Sequence, residues 1–195
     1  MIITISGTPG SGKSTIARIL AEKLHAERIY VGGIRRELAK KKGMTLMELN
    51  EYAKTHPETD VDVDEKAAAE ARKLEKEKKK VIVEGRTQFH FLPESVKIFI
   101  RVDVDEAARR IWNDLQQKER RQQRNEGNIT SLAQMKRSIT ERFDNDQHRY
   151  RKYYNLDIMD MKQYDLVVGT TKITAQQGAG EIINFLRRKK LINKS

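Results

Sequence analysis

The chain has 195 residues, enough for one domain with a continuous core, and carries 39 Lys and Arg against 28 Asp and Glu, a formal net charge of +11. It has no cysteine, which excludes disulfide stapling, thiolate catalysis and cysteine-based zinc sites and fits a cytoplasmic protein. No basic segment precedes the apolar start "MIITISG" and no run approaches the roughly 20 apolar residues that span a bilayer, so a soluble, unexported protein without a membrane partner is expected.

The apolar run at 2–6 reads as a first strand, and "GTPGSGKST" at residues 7–15 follows it at once. This fits G-x-x-x-x-G-K-[ST], a loop whose glycines let backbone N–H groups face a β-phosphate while the next helix adds the positive end of its dipole. Gly7, Thr8, Pro9, Gly10, Ser11, Gly12, Lys13, Ser14 and Thr15 are therefore expected to hold a nucleotide, with Lys13 on the β- and γ-phosphates and the Ser14 hydroxyl on Mg²⁺. The context agrees, because "STIARILAEKL" places Ile16, Ile19, Leu20 and Leu24 at helical spacing. Glycines at 7, 10 and 12 do not spell the dinucleotide fingerprint G-x-G-x-x-G.

Further strands are expected at 28–31, 80–84, 96–102 and 164–168, separated by helical stretches. Such alternation predicts an α/β fold, a five-stranded parallel sheet of the P-loop kinase type that binds ligands beyond its carboxyl ends. Two helical excursions leave the sheet, at 33–79 and 105–156. "TLME" from Thr45, "SLAQ" from Ser131 and "TAQQ" from Thr174 each fit a capping box, and "KLEKEKKKV" at 73–81 reads as a solvated helix end. "VIVEG" ends a strand on Glu84, an acid placed to hold the water shell of Mg²⁺.

Between Arg109 and Lys152 there are twelve basic residues against six acids. A hydroxyl acceptor of a phosphoryl group benefits from a general base, whereas a nucleoside monophosphate is already an anionic nucleophile and needs bidentate cations against repulsion. Arg36, Arg86, Arg110, Arg142 and Arg149 are candidates, and Arg142 and Arg149, seven apart, share one helix face. Arg120, Arg121 and Arg124 have no partner motif and read as solvated.

With these stretches placed, the chain resembles the nucleoside monophosphate kinases, most closely the archaeal-type cytidylate kinases. The likeness spans nearly all of it: the phosphate loop, "GGIRRELAKKKGMTLMELNEYAKTHPETDVDVDEK", "VIVEGR", "RRI", "RFDNDQHRYRKYYNLDI" and "YDLVVGTT". The resemblance implies a single kinase domain over 1–195, an acceptor-binding excursion and a lid, with ATP and Mg²⁺ and an acceptor of CMP or dCMP. It also implies that Arg36, Arg86, Arg142 and Arg149 clamp phosphates, Lys13, Arg142 and Arg149 being catalytic, that Arg110 lies against the adenine, and that Asp64 belongs to the substrate site. Gly33 stands where the family carries an acid and Gly169 where it often has Asn, "TQFHF" departs from the family after Arg86, and the lid has an extra stretch around "DLQQKERRQQRNEGN". Weaker base selectivity is the expected consequence of Gly33.

Two rival readings differ in class. A kinase of another monophosphate or of a metabolite hydroxyl would use Asp60, Asp62 or Asp64 as base, and an ATP-gated RNA-binding protein would use the basic lid. The latter lacks clustered aromatics, so small molecules and not nucleic acid are the expected partners, with the protein a monomer. His25, His56, His90 and His148 show no metal-ligand spacing and are read as structural, Trp112 as a helix anchor, and Tyr150, Tyr153 and Tyr154 as packing the lid helix on the sheet.

Overall fold

The computed structural model describes residues 1–124, 126 and 128–193, the side chain of residue 123 excepted. The strands are β1 (Ile2–Gly7), β2 (Ala26–Tyr30), β3 (Lys80–Glu84), β4 (Val96–Arg101) and β5 (Leu166–Gly169). The helices are α1 (Lys13–Leu24), α2 (Val31–Lys41), α3 (Leu46–Tyr52), α4 (Glu58–Lys76), α5 (Gln88–Phe91), α6 (Val104–Leu115), α7 (Lys118–Arg124), α8 (Leu132–Tyr154) and α9 (Ala175–Arg188). The sheet order is β2-β3-β1-β4-β5, and every pair is parallel. Parallel neighbours cannot be joined by a tight hairpin, so each connection crosses over through helices. Among the described residues no helix is long and apolar enough to cross a membrane.

Helices α1 and α9 cover one face, where Ile16, Leu20, Ile182 and Leu186 meet Ile3, Ile5, Ile98 and Ile100. Each such side chain contributes roughly 1.5–3 kcal/mol by leaving water. Small residues Ala67, Ala68 and Ala71 let α4 lie close over Val81 and Val83 on the other face. Alternation along β1 turns Thr4 and Ser6 to that side, and the Ser6 hydroxyl donates to the carbonyls of Gly85 and Arg86, both at 3.1 Å. That contact fixes the backbone carrying Arg86. Helices α6 and α8 share a separate cluster of Ala107, Ile111, Leu115, Met135 and Ile139, with Trp112 packed against it as expected.

β1 runs one residue longer and β4 one shorter than expected, and two strands differ at both ends. β2 begins at Ala26 and stops at Tyr30, because Val31 already starts α2. β5 begins at Leu166, since Tyr164 serves a core corner: its ring lies 4.7 Å from that of Phe89 and 4.8 Å from that of Phe99, and its hydroxyl donates to the Ile158 carbonyl at 2.9 Å. Thr45 and Thr174 form full capping boxes. At Ser131 only half is made, because the Gln134 side chain takes the Thr130 N–H (2.9 Å) instead. Tyr150 and Tyr154 pack beside Phe89 and Phe99, whereas the Tyr153 hydroxyl donates to the carbonyls of Ala53 and Lys54, both at 2.7 Å, and ties α8 to the end of α3. The lysines at 76–80 are exposed.

Candidate active site

The register of β1 sets Ile5 beside Glu84 on β3 and Gly7 beside Ile100 on β4, so the phosphate loop leaves the sheet next to the end of β3. A Cβ on Gly7 would fall 2.0 Å from the Ile100 carbonyl oxygen, and Gly12 holds φ at 83°, where side chains are strained. Both positions require glycine. The Thr8 N–H donates to the Ile100 carbonyl (3.0 Å) and the Thr8 hydroxyl accepts from the Val102 N–H (3.2 Å), which anchors the loop to β4. Pro9, Gly10, Ser11, Gly12, Lys13, Ser14 and Thr15 all line one cleft of about 930 Å³, and the Ser11 hydroxyl is buried with no partner among the described residues.

Lys13 folds its ammonium back onto the carbonyls of Gly7 (3.0 Å) and Thr8 (2.8 Å). Burial, reinforced by the charge of Arg86, pushes its pKa down to about 7. Because the unfolded chain keeps this proton up to its ordinary value near 10.5, stability rises with pH across that window, and the lysine is a full cost below it. An anionic phosphate beside Lys13 restores the proton. ATP binding at pH 8 is therefore expected to take up about one proton, measured by calorimetry in buffers of different ionisation enthalpy, and Lys13→Met is expected to remove the uptake. Equal heats in all buffers would contradict this.

The Ser14 hydroxyl donates to Glu84 Oε1 at 2.5 Å, and Glu84 Oε2 pairs with Arg28 at 2.5 Å. The half-buried Ser14 hydroxyl in contact with the buried Glu84 carboxylate forms a hard-oxygen set that suits Mg²⁺ held largely through water and phosphate. Among the described residues no group of three or more His, Asp or Glu could hold a metal by itself, and the four histidines join none.

A second cavity of about 360 Å³ lies on the far side of the loop, lined by Thr15, Arg110, Thr170, Ile173 and Thr174 among others. Glu106 fixes Arg110 through Nε (2.7 Å), and a terminal nitrogen of Arg110 donates to the Thr170 carbonyl (2.7 Å). Its guanidinium plane is thereby held at the cavity wall. Gly169, which ends β5, leaves the Arg101 side chain 3.9 Å from where its Cβ would be.

Three of the four arginines expected to clamp phosphates, Arg36, Arg86 and Arg142, line the large cleft. Arg149 does not: only 2% exposed, it donates to Asp60 (2.9 Å), to Asp146 (2.6 Å) and to the Asn50 carbonyl (3.3 Å). Its nitrogens serve the buried carboxylates that hold Arg35 and Arg86, which places it behind the cleft wall. Burial and the neighbouring Arg142 lower Arg86 to about 9, so it stays charged at neutral pH and gains from an anion. Asp64 reaches the cleft edge, but its oxygens accept from Thr87 (2.6 Å), Gln88 (2.9 Å) and Tyr154 (3.3 Å), and burial raises its pKa.

Arg120 and Arg124 each have a partner that the sequence did not show. Both pair with Asp114, Arg120 at 2.5 Å, and both reach the cleft, but Arg120 is still 57% exposed against 26% for Arg124, and Arg121 is exposed. Sequence reasoning passed over Arg28, Tyr30, Arg35, Glu126 and Asp146. A charge surplus directed attention to arginines, whereas each buried acid here is legible only through the cation it meets.

A parallel sheet of this order, with a glycine-rich loop running into α1 and a basic cleft at its carboxyl edge, defines a P-loop nucleotide-binding protein. A family model described as an AAA domain matches residues 3–132. The fold is shared with shikimate kinase from Acinetobacter baumannii at 19% identity and a TM-score of 0.58, covering 98% of this chain and 95% of that one. The chain is 36% identical over 184 residues to a cytidylate kinase of Archaeoglobus fulgidus, covering 94% of this chain and 92% of that one. It is 34% identical over 194 residues to a cytidylate kinase of Sulfolobus acidocaldarius, covering 98% and 97%. The chain belongs to the cytidylate kinase family.

Proposed function

We propose that the protein transfers the γ-phosphoryl group of ATP to a nucleoside monophosphate, CMP or dCMP. The observation that carries the reading is the meeting of the phosphate loop with Arg36, Arg86 and Arg142 around one cleft. In this proposal the phosphate loop holds the triphosphate, and the base of ATP enters the cavity beside Arg110. α2, α3 and the start of α4 frame the acceptor, and α6 to α8 form the lid that excludes water from a reactive phosphoryl group. Lys13 and the arginines neutralise charge that builds on the transferring group. Mg²⁺, where Ser14 and Glu84 would hold it, supplies further neutralisation between the phosphates. Arg149 acts as a positioning residue through Asp60 and Asp146. The proposal places a monomer in the cytoplasm, working on small molecules.

A hydroxyl acceptor is disfavoured by the three aspartates that could have served as base. Asp60 is locked by Arg35 and Arg149, Asp64 by three donors, and Asp62 faces solvent. An RNA-binding role is disfavoured because Arg110, Arg124 and Arg142 of the basic lid turn into the cleft and onto acids. A coupled assay of ADP release against CMP, dCMP, UMP and AMP tests the reading. Turnover should be highest with CMP or dCMP, and no acceptor-dependent ADP with any monophosphate would refute it.

Base selectivity is expected to turn on Tyr30 as well as on Gly33. A Cβ on Gly33 would fall 2.6 Å from the Tyr30 ring, and the Tyr30 hydroxyl accepts from Arg36 at 2.7 Å. Gly33→Asp alone should thus displace the ring, costing about 1–3 kcal/mol of stability, and weaken monophosphate binding without sharpening selectivity. Combined with Tyr30→Ser, the new carboxylate has room to accept from the cytosine amino group, and the CMP:UMP ratio of kcat/KM should rise by about 1–3 kcal/mol of discrimination. A gain in the single variant would show that the ring does not obstruct the position.

A further inference from the structure

Arg36 and Arg142 are joined by one carboxylate, and it comes from the lid stretch that the family resemblance leaves unexplained. Glu126, 4% exposed, accepts from an Arg142 terminal nitrogen through both oxygens, at 3.0 and 3.2 Å, and Arg36 stands 3.9 Å away. Two residues earlier, the Arg124 main-chain carbonyl accepts from Arg36 Nε at 3.1 Å, while the Arg124 guanidinium is held on Asp114. Burial works against the charge of Glu126, but Arg142, Arg36 and Arg124 outweigh it and hold the carboxyl below its ordinary range. Arg142 Nε is buried with no partner among the described residues, so the carboxylate leaves a donor that one more oxygen would satisfy. A phosphate monoester brings three such oxygens and a second charge.

We propose that the Glu126 carboxylate is an intramolecular stand-in for the acceptor's phosphate, neutralising Arg36 and Arg142 while the cleft is free and giving way to a phosphate monoester during turnover. The inference rests on the monophosphate reading above. Two anions cannot share the same arginine pair without strong repulsion, so substrate binds only the fraction of molecules in which Glu126 has withdrawn. Apparent affinity falls by that fraction. Glu126 thereby becomes a built-in competitor that sets KM.

Inorganic phosphate and CMP are the probes. Glu126→Gln keeps the shape and removes the charge. It should bind phosphate on the order of tenfold more tightly by calorimetry, lower KM for CMP in proportion and leave kcat within about twofold. Its melting temperature should fall without phosphate and recover more steeply with added phosphate than that of the unmodified protein. Glu126→Ala should share the tighter binding, and Glu126→Asp, which keeps a charge for the arginines and hence the fold, should lie between. Unchanged or weaker phosphate binding in the folded variants would overturn the proposal and make Glu126 a brace of the bound state. Should no monophosphate be phosphorylated by any form while phosphate still binds the Gln variant more tightly, the acceptor reading fails and the stand-in remains, for another phosphate ligand.

Discussion

Lys13→Ala is expected to cut turnover roughly 10³-fold while leaving the fold intact. Among the described residues the ammonium bonds only to the carbonyls of Gly7 and Thr8 and supports none of the apolar clusters, so its loss removes no core contact. Its depressed pKa also means that the ligand-free protein bears a cost for holding a buried cation at neutral pH. The variant should therefore melt no lower than the parent near pH 7, and any advantage should vanish above pH 10.5, where the lysine is neutral in both folded and unfolded chains. Turnover in the CMP assay and a pH series of melts measure both effects. A variant within tenfold of the parent rate would remove the phosphate loop from the mechanism.

Asp146→Asn is expected to cost about 3–5 kcal/mol, the range for breaking a buried pair and leaving its partners charged. For a chain of this length that is a fall in melting temperature of roughly 6–20 °C. Asp146 is 4% exposed and holds two arginines: Arg149 at 2.6 Å and Arg86 in direct contact. The amide cannot neutralise both. Arg86 then loses the carboxylate that aims it into the cleft, so KM for the monophosphate should rise together with the loss of stability. The comparison is Glu94→Gln, which breaks a pair with Arg72 whose two side chains are 44% and 41% exposed, and which should change stability by less than about 1 kcal/mol. Equal effects of the two substitutions would show that the buried network bears no special share of the fold.

Much of the site was legible because its chemistry is local. A loop that must turn with left-handed backbone and expose N–H groups needs glycines at set intervals, and Gly7 and Gly12 stand where a side chain would collide or strain. Capping at Thr45 and Thr174 depends on contacts three residues apart and was equally legible. Arg149 shows the limit of such reasoning. Helical spacing correctly placed it seven residues from Arg142, but spacing says nothing of what faces it, and Asp60 arrives from 89 positions away. Arg124 was misjudged for the same reason, since Asp114 folds against it only when α7 turns back on α6.

The amino-acid pattern by itself determined the parallel α/β sheet, the phosphate loop and the strand-ending Glu84, because periodicity, backbone conformation and short-range capping are properties of neighbouring residues. The tertiary structure alone decided which arginines reach the cleft and which are consumed by carboxylates behind it. It also decided that Tyr30 fills the space over Gly33 and that Glu126 sits between Arg36 and Arg142. A charge acquires its role from the counter-charge and the burial it meets, and both come from chain segments far apart in sequence.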